Sequence, residues 1–227
     1  MGSKSLVAGV GINDADYKIQ IYKRSDNNKR HVIWRCPYYS KWASMLQRSC
    51  CNKTKLKHPS YMNTEVCEEW KIFSNFKQWM QSQDWEGKDL DKDLLSHKIG
   101  VNPIYSPDTC IFLPYPLNLL LAESTRRMKE DGLPTGVTVH KQSGRFRVRS
   151  KDVFTGKYEH LGMFDTIEDA KEVYMSFKIK NTIKIIKMCA NKDLEVEMIN
   201  FLTTNPKSIF LGIDFDKYYL GDSYDSK

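Results

Sequence analysis

Apolar and polar residues alternate from Tyr17 to Tyr22. Asp26-Asn27-Asn28-Lys29 then supplies turn formers, and His31-Val32-Ile33-Trp34-Arg35 answers as a second strand, so a β-hairpin is predicted. From Pro37 the period changes. Tyr38, Trp42, Met45 and Leu46 fall at i, i+4, i+7 and i+8, which predicts a helix ending near Cys50. Val66, Trp70, Phe73, Phe76, Trp79 and Met80 form a second helical stripe, and a shared stripe marks these aromatics as core rather than as a stacking platform for bases. The polar, basic stretch 52–64 between the two reads as a loop able to touch a backbone phosphate.

The pattern then shortens. Leu90-Asp91-Lys92-Asp93-Leu94-Leu95 predicts a short strand, followed by a turn-rich insert, a second strand over Tyr105-Ser106-Pro107-Asp108-Thr109-Cys110-Ile111-Phe112-Leu113 and a helix carrying Asn118. Residues 123–135 are charged and end in Asp131-Gly132-Leu133-Pro134, the composition of a linker. Beyond it, turns at Gln142-Ser143-Gly144 and Phe154-Thr155-Gly156 separate three short strands. Asp165-Thr166-Ile167-Glu168 supplies capping residues for a long helix with Ala170, Val173, Tyr174, Phe177 and Ile179 on or near one face. A last helix, Leu194 to Leu202, precedes a Tyr- and Asp-rich tail.

This order predicts an α+β protein of two domains. A first domain (1–122) contains a strand-loop-strand-helix unit framed by a hairpin and helices, and a linker (123–135) follows. A second domain (136–190) is a three-stranded antiparallel sheet packed on a helix, followed by a C-terminal helix and tail (191–227).

Composition adds further constraints. The 227 residues are enough to bury a sizeable core, and the aromatic fraction of 12% argues for an ordered chain. The 35 Lys+Arg against 28 Asp+Glu give a formal charge of +7, which suits a phosphate-rich partner without the excess of a ribosomal protein. No apolar run approaches the roughly 18 residues of a membrane span, and Met1-Gly2-Ser3-Lys4-Ser5 lacks a signal-peptide core, so a soluble, intracellular protein is expected. In that compartment the six cysteines should be reduced thiols, either buried small residues or metal ligands. Gly9-Val10-Gly11 is not followed by the Lys-Ser/Thr of a phosphate loop.

Two constellations carry candidate chemistry. In the middle strand of the second domain, a period of two puts Arg145, Arg147, Arg149 and Lys151 on one face and Phe146 and Val148 on the other. The apolar face must pack on the helix, which leaves a row of cations open to phosphates, with guanidinium groups able to fork onto guanine edges. In the central stretch, Asp91 at the first strand and Asn118 on the following helix are the residue types that hold a divalent ion against a scissile phosphate, while a nearby base activates water.

Gly136-Val137-x-x-His140, Gly144-Arg145-Phe146-x-Val148 and Tyr158-x-His160-Leu161-Gly162-x-Phe164-Asp165-Thr166-x-Glu168-Asp169-Ala170 resemble the Apetala-two/ethylene-response-factor DNA-binding domain over about residues 134–185. That resemblance implies a sheet that enters the major groove, with DNA-facing positions on Thr138, His140, Arg149, Lys151, Tyr158 and His160. Several of these differ from that family's usual Arg or Trp, so its sequence preference does not transfer.

The central stretch resembles the HNH nucleases, particularly the homing-type HNH proteins of tailed phages. The flanking Gly9-Val10-Gly11-Ile12-Asn13-Asp14-Ala15, Cys36-Pro37-Tyr38-Tyr39-Ser40-x-Trp42, Val66-Cys67-Glu68-Glu69-Trp70 and Gln83-Asp84-Trp85-Glu86-Gly87-Lys88 also resemble that group. The resemblance implies an HNH-like ββα-metal domain with Asp91 and Asn118 holding Mg2+ or Mn2+. Lys92 stands where the general-base His belongs, and Thr109-Cys110 where an Asn-Leu pair belongs. A lysine ammonium is a poor base at neutral pH, and Asp91 and Asp93 favour its charged form; His97, in the connecting insert, is the substitute candidate. The resemblance also brings in a structural zinc held by Cys36, Cys50, Cys67 and Cys110, although none forms a Cys-x-x-Cys pair. Cys51 and Cys189 look like extras.

The leading expectation is a homing-type endonuclease that cleaves double-stranded DNA with a divalent metal, in the cytoplasm of a phage-infected or mobile-element-bearing bacterial cell. The alternative is a relative that has lost the cut and acts as a DNA-binding transcriptional repressor or competitor. No membrane partner is expected, and a homodimer stays open.

Overall fold

The computed structural model describes residues 6–125, 133, 136–152 and 154–219. It is a mixed α+β chain with four small sheets among the described residues, and it divides into two compact units, Met1–Leu113 and Pro114–Lys227.

In the first unit, β1 (Gln20–Arg24) pairs antiparallel with β2 (Arg30–Arg35), and Asn28, at a φ of 59°, turns the chain between them. Helix α1 (Pro37–Cys50) starts on a proline and buries Trp42, Met45 and Leu46, three of the four residues of its predicted stripe. The stretch read as a basic loop is instead α2 (Asn52–Lys57) and a 3-10 turn at Pro59–Tyr61. Lys and Leu are good helix formers, and charge alone does not make a loop. The second aromatic stripe is broken up as well. Val66 sits in β3 (Glu65–Val66), Trp70 in a 3-10 turn, and only Phe73 to Met80 lie in α3 (Phe73–Gln81). Burial follows the stripe nevertheless: Trp70, Phe73, Phe76 and Met80 are enclosed with Trp42, Met45 and Leu46 in one core. The glycine segment closes a local turn, Val7 N donating to Gly11 O, and packs Val7, Ala8 and Val10 on that core.

Strand β4 (Lys88–Asp91) is followed by α4 (Asp93–Ile99), a helix where an irregular insert was expected. The predicted second strand is two pieces. β5 (Ile104–Tyr105) runs parallel to β3, and β6 (Ile111–Pro114) pairs with β4. The expected helix then follows as α5 (Tyr115–Ser124).

In the second unit, β7 (Val137–Val139), β8 (Phe146–Lys151) and β9 (Tyr158–Phe164) form an antiparallel sheet in that order. Val137 and Val148 pack with Ala170 and Tyr174 of α6 (Ile167–Cys189) and with Leu133. Thr166 caps α6, its Oγ1 accepting from Asp169 N at 3.1 Å. Glu123 and Ser124, expected in the linker, close α5; apart from Thr125 and Leu133, the rest of 123–135 lies outside the described residues. Glu123 meets Lys178 of α6 at 3.1 Å with both side chains largely buried, so loss of either partner would strand a charge. α7 (Lys192–Thr204) takes the place of the predicted last helix, and α8 (Asp216–Tyr219) packs on α6. Of the expected tail, residues 220–227 lie outside the described residues. No helix among the described residues is long and apolar enough to cross a membrane.

Candidate nucleic-acid interface and candidate metal site

The sheet of the second unit collects the predicted DNA-facing residues by pairing. Across β7 and β8, Thr138 lies opposite Arg147. Across β8 and β9, Arg147 lies opposite Met163, Arg149 opposite His160, and Lys151 opposite Tyr158. Directly opposed residues share a face, so Thr138, Arg147, Arg149, Lys151, Tyr158, His160 and Met163 share the face that Val137 and Val148 turn away from.

This grouping depends on a β-bulge. The register shifts between Val148 and Arg149, leaving Leu161 as the extra residue of β9 next to Gly162, whose φ of 133° few other residues adopt. Without that extra residue, the period of two would bring Leu161 opposite Arg149 and turn His160 towards the helix. The bulge keeps Leu161 against the core and re-aims His160 and Tyr158 to the cationic side.

The cations are not equivalent. Arg149, Lys151 and His160 are exposed, and Tyr158 is 69% exposed beneath the Arg149 guanidinium, 5.7 Å from its ring centre. Arg145, predicted as part of the row, is committed within the chain. Its Nε lies 2.7 Å from Asp165 Oδ1, and its Nη2 donates to Met163 O at 2.9 Å. His140 Nδ1 lies 2.9 Å from Ser143 Oγ in the turn. The opposed Arg147 Nε and Thr138 Oγ1 are both shut away from water and find no hydrogen-bond partner among the described residues.

The central residues have structural tasks. Asp91 ends β4 and is buried, and its Oδ1 accepts from the backbone N–H of Asp93 at 3.0 Å and of Leu94 at 2.9 Å. These are the unsatisfied first amides of α4, so the carboxylate starts that helix. Burial, then the neighbouring Asp93, pushes Asp91 up to about 6, while the amide hydrogen bonds pull the other way.

Lys92, expected from the sequence to stand in a base position, is only 5% exposed and extends its Nζ to within 2.7 Å of Asp93 Oδ1. The same ammonium lies over the rings of Tyr105 and Tyr61, 5.6 and 5.9 Å from their centres, and the Arg48 guanidinium lies at similar distances from both rings. Sequence reading missed this cluster because Arg48 and Tyr61 lie more than thirty residues from Lys92, with no motif to join them. His97, expected in the insert, lies half-buried on α4. Asp91 belongs to the first unit, whereas Asn118 is half-buried on α5 of the second.

The donor set fits a metal unevenly. Asp91 Oδ1 is taken up by two amides, which leaves Oδ2 as the oxygen with which it would hold an ion. Among the described residues, no group of three or more His, Cys, Asp or Glu side chains is assembled. Cys36 and Cys110 are buried and Cys50 and Cys67 half-buried, all as free thiols. Burial pushes the Cys110 thiol up to about 12. A surface groove lined by Glu69, Trp70, Asn75, Gln78, Trp79, Ser82 and Pro107 contains none of the candidate catalytic, metal-binding or DNA-binding residues.

No family model, curated protein or solved structure matches the chain.

Proposed function

We propose that this protein binds double-stranded DNA through the open face of the β7–β9 sheet and acts as a sequence-specific DNA-binding protein of the repressor or competitor kind. The observation that carries the reading is the gathering of Arg147, Arg149, Lys151, Tyr158 and His160 on one sheet face by strand pairing and the β9 bulge. Cations at about 7 Å same-face steps follow a phosphate backbone, and the guanidinium groups and imidazole can address base edges. The test is fluorescence anisotropy on a duplex library across a salt series, followed by selection of preferred sites. Arg147→Gln, Arg149→Gln and Lys151→Gln together are expected to cut affinity tenfold or more and to flatten the salt dependence by about 0.9 per lost phosphate contact. An unaltered complex, or none at low salt, overturns the reading.

A second reading, metal-dependent cutting by an HNH-like site, is favoured by one observation: β4 pairs with β6, and α5 follows directly. Against it stands Lys92, buried and paired where a base must reach water. Supercoiled plasmid incubated with Mg2+ or Mn2+ decides between them. Nicking that disappears in Asp91→Asn, a variant that keeps an oxygen for the α4 amides, supports cutting; intact plasmid at all metal concentrations overturns it.

A further inference from the structure

The β1–β2 hairpin is the least explained element of the first unit. Every residue of β2 is exposed, as are Ile21 to Arg24 of β1. Ile33 is 61% and Trp34 43% exposed, and Val32, Ile21 and Tyr22 are open as well. A two-stranded ribbon with both faces in water is marginally stable by itself, and an apolar surface left open on it marks a binding face.

The chemistry of the ribbon points to one class of occupant. Between residues 18 and 35 the chain carries Lys18, Lys23, Arg24, Lys29, Arg30 and Arg35, with His31, against the single acid Asp26. Arg30 is stacked 3.8 Å above the Tyr22 ring, which holds its guanidinium in place before any ligand arrives. Cations along both strands, interleaved with Tyr22, Val32, Ile33 and Trp34, match a polyanion that also offers apolar edges, such as thymine methyl groups. A pure protein docking face would be depleted of charge at its centre. Dimensions agree: the five residues of β1 span about 17 Å. The major groove, about 12 Å wide, admits a two-stranded ribbon, whereas the minor groove, about 6 Å wide, does not.

We propose that the β1–β2 ribbon is a second DNA-contacting element that enters the major groove of duplex DNA, with Lys23, Arg24 and Arg30 on phosphates or guanine edges and Ile33 and Trp34 against base edges. The inference rests on duplex DNA being the ligand of this chain. The experiment compares three full-length proteins: the parent, a ribbon variant (Lys23→Gln, Arg24→Gln, Arg30→Gln) and a sheet variant (Arg147→Gln, Arg149→Gln, Lys151→Gln). For each, the salt slope of binding and the protection of guanine N7 from methylation are measured on the selected duplex. In parallel, a benzophenone amino acid replaces Ile33 in the parent for photocrosslinking. Thermal melting checks that the exposed substitutions leave the fold intact.

The ribbon variant is expected to lose up to about 2.7 in salt slope, ~0.9 per phosphate contact. It is also expected to lose one block of N7 protection while a second block persists, and position 33 is expected to crosslink to DNA. An unchanged slope and footprint with no crosslink, while the sheet variant loses binding, overturns the ribbon proposal alone and leaves a protein as the occupant of the hairpin. Loss in the ribbon variant with an unaffected sheet variant supports the ribbon and overturns the sheet reading. Absence of any salt-sensitive complex in the parent overturns both.

Discussion

At the scale of single residues, Asp91 separates structural from chemical roles. Its Oδ1 holds the first amides of α4 whatever else the carboxylate does. Asparagine offers the same oxygen and alanine none, so Asp91→Ala is expected to cost about 1 kcal/mol more than Asp91→Asn, the usual worth of a cap. The pH dependence has a definite sign. Burial and Asp93 raise the folded carboxyl to about 6 from an ordinary 3.8, so between those values the folded state holds more protons than the unfolded one. Stability contributed by this group therefore falls as pH rises through that window. Urea unfolding followed by Trp fluorescence at pH 4.5 and 7.5 should show the parent losing stability relative to Asp91→Asn on going to the higher pH. Superimposable profiles would remove burial of the charge as the cause.

Among elements, the sheet of the second unit offers the sharpest mechanical test. A Cβ on Gly136 would fall 2.2 Å from the Tyr174 ring and 2.4 Å from Arg149 O, so the backbone of β7 reaches β8 and α6 only because position 136 has no side chain. Gly136→Ala is expected to destabilise the protein by roughly 1–3 kcal/mol, the range for overpacking, as a lowered midpoint in urea; an unchanged midpoint would show that Tyr174 swings away freely. This sheet was also the element most legible in the sequence, because turn signals at Gln142-Ser143-Gly144 and Phe154-Thr155-Gly156 bound runs of plain alternation. What the alternation could not show was the bulge, which changes the phase of β9 without changing its composition. α4 escaped for a different reason: its start is set by Asp91, a residue read as a metal ligand, and seven residues are too few for a helical period to declare itself. Of the candidate site, the cationic face was legible residue by residue except for Arg145, whose partner Asp165 lies twenty residues away. The Lys92 surroundings were not legible, since Arg48, Tyr61 and Tyr105 are brought there by the fold.

For the whole molecule, the +7 charge matters less than where it is carried. The ribbon and the sheet belong to separate units, and effects of independent sites add. A protein carrying all six Gln substitutions is thus expected to lose the sum of the two salt-slope changes. A loss clearly smaller than the sum would show that the two surfaces share the same phosphates. The capping role of Asp91 also bears on descent. Selection for folding alone would retain this aspartate, so its presence is by itself no mark of an active nuclease. Position 92 is the more informative one: a histidine there would replace an ammonium buried against Asp93 with an imidazole able to accept a proton, so Lys92→His is the substitution that separates a counterion from a base.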